Sequence, residues 1–185
     1  VQIRLVATDL NGNPISAIQQ GEDFKIRVEV DDLRFDASNP GVSAGVFAAY
    51  FDLLYSGQLI TTVASTDPTD SFNYEVDFLS PYTTVRRGNA DVPGIIDEFG
   101  AVSDLVSMAN PNPLALANVT FTARSPGIAN FTPDPADIFP ASDTLLFNVP
   151  GSAVPIERIR YLGTSLEIVG DGVLFPVAVD DSVPQ

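Results

Sequence analysis

The sequence predicts an all-β protein, an antiparallel β-sandwich of about eight or nine strands. Three observations carry that prediction. Apolar and polar residues alternate at period two in several segments, as half-buried strands require. Turn formers separate those segments: the chain holds 13 Gly and 15 Pro, and runs bounded by Gly, Pro, Asn and Asp read as strands joined by turns. Hydrophobic residues make up 45% and charged residues 18% of the 185 positions. That supplies one core and argues against a disordered chain.

The elements follow in order. Ile3–Ala7 reads as a first strand and runs into Asn11-Gly12-Asn13-Pro14, a strong turn cluster. The cleanest alternation comes next: Phe24, Ile26, Val28 and Val30 face one way, and Lys25, Arg27, Glu29 and Asp31 the other. Gly45–Leu54 is apolar on both faces, which suits a central strand whose second face is also covered. Phe72–Leu79 aligns Phe72, Tyr74, Val76 and Phe78. Leu114–Ala123 puts Ala115, Ala117, Val119, Phe121 and Ala123 on one face, with Asn118, Thr120 and Thr122 opposite. Ser125-Pro126-Gly127 turns the chain into Ile128–Thr132, and Leu145–Val149 and Ser165–Val169 complete the set.

One stretch is ambiguous. Ile95, Phe99, Val102, Val106 and Ala109 have helical spacing, whereas Gly94, Gly100 and the pair Ile95-Ile96 suit a strand with a bulge. A strand followed by a loop is preferred, because every neighbour is a strand. The longer loops are residues 31–44, 64–71, 80–93 and 133–144. Residues 1–176 form one domain in this reading, and the acidic stretch 177–185 is a linker tail. The chain opens directly on a strand and shows no leader-like or membrane-spanning run, so it reads as a mature or excised module.

Composition narrows the function. The formal charge of -15 repels nucleic acid and anionic membranes and favours cations or a basic partner surface. The chain contains no Cys and no His, which removes disulfides, thiolate and imidazole metal sites, and Ser-His-Asp or Cys-His chemistry. A glycosidase built on a carboxylate pair would have to use Asp97-Glu98 or Asp134/Asp137, which read as solvated loop acids. The chain is therefore expected not to be an enzyme. Calcium is the metal that suits the residues left, since it takes oxygen ligands from loops. Asp31 and Asp32 with Asp36, and Asp134 with Asp137, are the candidate ligands, with Asp67 and Asp70 as a further cluster; none has the spacing of a helix–loop–helix calcium loop.

The segment order resembles the cohesin module, the receptor half of cohesin–dockerin pairs. The resemblance begins with the short first strand and the Gly21-Glu22-Asp23-Phe24-Lys25-Ile26-Arg27-Val28-Glu29-Val30 strand behind its Gly-plus-polar turn. It continues in Phe51-Asp52-Leu53-Leu54-Tyr55-Ser56-Gly57-Gln58-Leu59, and is strongest over residues 116–131, LANVTFTARSPGIANF, where a small-residue strand passes through a Gly turn into a Phe-bearing strand. Together these pieces cover most of residues 1–170. The family's Tyr-Asp-Pro turn is here Tyr55-Ser56-Gly57, and its polar gripping positions match Ala48, Tyr50 and Asp52, which points to a non-cellulosomal relative.

The resemblance implies a cohesin-like jelly-roll related to carbohydrate-binding modules, secreted or at the cell surface. It also implies attachment to a dockerin-type partner through a sheet face that includes Ala48, Tyr50, Asp52 and Asp97. Polysaccharide binding is the alternative, with Tyr50, Tyr55, Tyr74, Tyr82 and Tyr161 as the available ring platforms in a chain without Trp. A passive spacer or adhesin module is the third reading.

Overall fold

In the computed structural model the described residues are 1–34, 45–69, 71–104, 113–138, 143–147, 149 and 152–170. They form thirteen strands: β1 (Gln2–Thr8), β2 (Ala17–Gln19), β3 (Asp23–Asp31), β4 (Val46–Tyr55), β5 (Ile60–Thr62), β6 (Val76–Phe78), β7 (Thr84–Asn89), β8 (Ile95–Val102), β9 (Leu114–Ala123), β10 (Gly127–Pro135), β11 (Leu145–Leu146), β12 (Arg160–Leu162) and β13 (Thr164–Val169). A single turn of 3-10 helix, Ile156–Arg158, is the only helical element among the described residues. Residues 105–112, and with them Val106 and Ala109, lie outside the described residues, as does the 177–185 tail.

Two sheets face each other. The first has the order β12-β1-β3-β9-β5, with β6 also paired to β9. The second has the order β2-β13-β10-β4-β8-β7, with β11 beside the first half of β4. Most pairs are antiparallel, but the sandwich closes on two short parallel ladders, β1 with β12 and β2 with β13.

The core lies between the sheets because alternation sends one row of each strand inward. In β3, Phe24, Ile26, Val28 and Val30 are at most 1% exposed, as the sequence pattern requires. Phe24 and Phe121 of the first sheet meet Phe131 and Tyr55 of the second, with ring centroids 5.1–6.0 Å apart. A second aromatic group joins Phe51 and Phe99 to Phe78 and Phe72. Each fully buried ring of this kind contributes roughly 1.5–3 kcal/mol by removal from water.

The strand count exceeds the eight or nine expected, and the surplus consists of elements that alternation does not mark. β2, β5 and β12 are three residues each, and β7 has no buried residue to give it a pattern. Two segments are shorter than their patterns. Only Val76–Phe78 of 72–79 joins a ladder as a strand, Tyr74 making an isolated bridge to Ala64; among the described residues of 145–149 the strand is Leu145–Leu146, and the Phe147 N–H donates to Gly45 O. In β9 the face assignment of Ala115 is corrected. The register slips between Val28 and Glu29, so both Leu116 and Ala117 enter the core and Ala115 is left half-buried.

Candidate functional site

The site is built where β4 and β8 run side by side near the middle of the second sheet. The stretch 95–102 is a strand, and it carries a bulge: the ladder is regular at Leu53–Ile96 and at Phe51–Phe99, so the single residue Asp52 faces the two residues Asp97 and Glu98. Core packing demands this. Ile96 and Phe99 are both fully buried between the sheets although they are three residues apart. A strict period of two cannot bury both, and one extra residue restores the alternation. Glu98 takes up the kink with φ of 53°, the left-handed region that non-glycine residues seldom adopt. Its N–H, freed from the ladder, donates to Asp52 Oδ1 at 2.9 Å.

The bulge gathers acids on the outer side of the sheet. Carboxylate oxygens of Asp52, Asp97 and Glu98 all lie within 4.8 Å of one another. Glu98, 8% exposed, accepts the N–H groups of Asp137 and Ile138 at 2.9 and 2.6 Å through Oε1, which pins the chain leaving β10. Its Oε2 is buried with no hydrogen-bond partner. Leaving such an oxygen unsatisfied costs about 1–3 kcal/mol or more for a charged group. No Lys or Arg pairs with any of the three acids among the described residues.

Burial pushes the Asp52 carboxyl above its ordinary value. The Glu98 N–H offsets part of that, and the charges of Asp97, Glu98 and Asp137 add to it. The field reaches Tyr161, whose hydroxyl is pushed up to about 12, first by burial and then by Asp134 and Asp52. Asp97-Glu98 are thus not the solvated loop acids that the sequence suggests, because the bulge turns both toward a buried third carboxylate.

The other expected residues fall as follows. Ala48, Tyr50 and Asp52 share the outer face of β4, as alternation from Ala48 dictates, but the chain itself covers them. They are 1%, 5% and 8% exposed. Ala48 and Tyr50 pack with Ala136, Phe47, Val102 and Leu145, and the Tyr50 hydroxyl donates to Val85 O on β7 at 2.7 Å. The Tyr50 ring lies against Gly100, where a Cβ would stand 2.6 Å from its Cδ1 and 2.0 Å from Ala49 O. A partner reaching these positions would first meet the residues packed over Ala48 and Tyr50. The open part of the same face lies further along: Thr132, Leu54 and Ile95 are register neighbours, and so are Asn130 with Ser165 and Ile128 with Glu167. Ile128 is 64% exposed.

The separate clusters of acids expected to hold calcium fall on different elements. Asp31 ends β3 in the first sheet and Asp32 follows it, whereas Asp134 lies on β10 and Asp137 just after it; Asp36 and Asp70 lie outside the described residues. Asp32 is committed to protein donors: Arg34 Nε and Nη2 at 3.0 and 2.7 Å, the Arg34 N–H at 3.0 Å and the Gly45 N–H at 2.9 Å. Burial alone would raise its pKa, but these donors outweigh it and hold the carboxyl below the usual range. Asp67 accepts from the Thr69 N–H and hydroxyl. Asp134 is the register partner of Asp52, and Asp137 adds to the field there, so these two border the bulge cluster. Sequence reasoning set Glu98 aside as a solvated loop acid. Its signal was the Ile96…Phe99 spacing, which places two acids in succession on one face only if the strand bulges.

The sugar-platform tyrosines are not displayed. Tyr50, Tyr74 and Tyr82 are at most 5% exposed, and Tyr55 and Tyr161 are half-buried. No helix among the described residues is long and apolar enough to cross a membrane.

No family model matches the sequence, and no curated protein matches it. Solved structures do. The cohesin module of a Clostridium perfringens family 33 glycoside hydrolase is similar with a TM-score of 0.55 at 12% identity, over 91% of this chain and 98% of that one. A type III cohesin from the cell-surface anchoring scaffoldin ScaE of Ruminococcus flavefaciens gives 0.54 at 10% identity, over 90% and 88%. The third ScaC cohesin of Acetivibrio cellulolyticus, solved in complex with the ScaB dockerin, gives 0.52 at 12% identity, over 90% and 99%. The chain has the cohesin fold.

Proposed function

We propose that this chain is a non-catalytic attachment module that binds a dockerin-type protein through the outer face of the sheet holding β10, β4 and β8, as part of an extracellular or cell-surface protein. The observation that carries this reading is the end-to-end likeness to cohesins, one of them solved with a dockerin in place. A shared fold alone leaves function open, so the surface must support it too. The open strip formed by Ile128, Asn130, Thr132, Leu54 and Ile95 offers an apolar and small-polar patch on rigid strands, with acids beside it. Such a patch suits a partner with a mixed apolar and basic face, since charge complementarity sets orientation and on-rate.

Catalysis finds no support at the acid cluster found among the described residues. A glycosidase needs its carboxylates on either side of an accessible sugar, and Glu98 is nine-tenths buried with one oxygen already holding two N–H groups. The test is calorimetric titration of the chain with a panel of calcium-loaded dockerins encoded by the same genome. Saturable one-to-one binding to at least one member is expected. Silence across the panel, with retention on polysaccharide affinity gels instead, would replace this reading with the carbohydrate-binding one.

A further inference from the structure

We infer that Asp52, Asp97 and Glu98 form a calcium site on the β4–β8 bulge, separate from the loop acids that the sequence brings forward. Two independent observations point there. The first is the gathering itself: one carboxylate oxygen from each residue lies within 4.8 Å of the others. Two oxygens on opposite sides of a calcium ion stand about 4.6–5.2 Å apart, given its 2.3–2.6 Å bonds, so three oxygens this close can share one ion. The second is the Glu98 side chain, nine-tenths buried, with Oε2 unpartnered although Oε1 is fully used. A buried carboxylate with one oxygen left without a donor, in a residue grouped with two further carboxylates, suits a metal ligand.

The ligand chemistry selects the ion. All three donors are hard carboxylate oxygens, and the chain has no Cys or His to attract zinc or copper. Calcium needs six to eight oxygens, and water completes the shell on the open side, where Asp97 is half-buried and the neighbouring Asp137 is exposed. Magnesium is less suited, since it demands near-octahedral geometry at 2.0–2.1 Å.

The ion would have a structural role. It would bind β4 to the bulge of β8 and, through the Glu98 Oε1 contacts, to the chain leaving β10. This inference concerns the isolated chain and does not depend on what the module attaches to.

The experiment is calcium titration of the chelator-treated full chain, read by calorimetry and by thermal melting, with magnesium titrated in parallel. One calcium per chain is expected, with affinity in the roughly 10⁻⁴–10⁻³ M range of extracellular modules or tighter. At about 100-fold excess over Kd the melting temperature rises by about 5–11 °C. Asp97→Asn, at a half-exposed position, weakens binding by about tenfold or more through loss of ligand charge. Glu98→Gln does the same while keeping an oxygen for the two N–H groups. Asp77→Asn on β6 leaves binding unchanged. No binding at millimolar calcium, equal binding of magnesium, or calcium affinity unaltered in both site variants would each overturn the assignment.

Discussion

Asp52 accepts the main-chain N–H of Glu98 at 2.9 Å, so the acid on β4 secures the bulge that brings two more acids toward it. The contact stabilises the kink and concentrates charge at once, and Asp52→Asn separates these effects. Asparagine keeps the acceptor and removes the charge. Asp52 is raised above 3.8 in the folded chain by burial, so its contribution is full below that value and is lost as pH rises through the raised pKa. The cation-free variant should therefore be more stable than the parent at neutral pH, by on the order of 1 kcal/mol. The gap should close near pH 4, and the order should reverse in millimolar calcium. Urea melts at the two pH values, with and without chelator, measure all three outcomes.

Asp32 has the opposite sign. Its carboxyl is held below 3.8, so its stabilisation is present above that value and lost as pH falls through the lowered pKa. Arg34→Ala leaves a fully buried carboxylate with backbone donors and no guanidinium. It should cost about 1–3 kcal/mol at neutral pH, toward the lower end because the Arg34 side chain is 47% exposed. The difference from the parent should shrink in acid. An acid-unfolding midpoint identical in both proteins would show that the pair contributes nothing.

Gly100 has no room for a side chain. A Cβ there would stand 2.0 Å from Ala49 O, in the ladder between two central strands. Gly100→Ala must push β4 and β8 apart or displace the Tyr50 ring, and overpacking of this kind costs about 1–3 kcal/mol or more. Chemical denaturation measures it. The variant should also loosen the Tyr50–Val85 contact, which amide exchange at β7 would reveal.

The attachment face can be tested without harming the fold. Ile128 is 64% exposed and outside the core, so Ile128→Asp should change stability by no more than about 0.5 kcal/mol. It should nevertheless weaken dockerin binding by about tenfold or more if Ile128 lies at the centre of the contact. Unchanged affinity would move the contact elsewhere on the module.

The sandwich was legible wherever one face of a strand is buried, because burial writes a period of two into the residues. Phe24 to Val30 is the clearest case, and the cohesin fold followed from the order of such segments. What stayed hidden was of two kinds. β7 is paired through its backbone but has no buried side chain, so residues 84–89 read as part of a loop. The site depends on an interruption of the period: Asp97 and Glu98 look like ordinary solvated neighbours until Ile96 and Phe99 are both required inside. The covering of Ala48 and Tyr50 was equally hidden, since it comes from residues 85, 136 and 145, remote in sequence.

The two parallel ladders have a mechanical consequence. Gln2, Ile3 and Arg4 pair with Arg160, Tyr161 and Leu162, and Ala17, Ile18 and Gln19 with Glu167, Ile168 and Val169. Tension that draws residue 1 away from residue 170 loads these pairs along the strand direction. Their hydrogen bonds are strained together rather than opened one after another like a zip. The fold should then resist end-to-end extension far better than peeling from the turn at Asn11–Asn13, a difference that a force spectrometer can read directly.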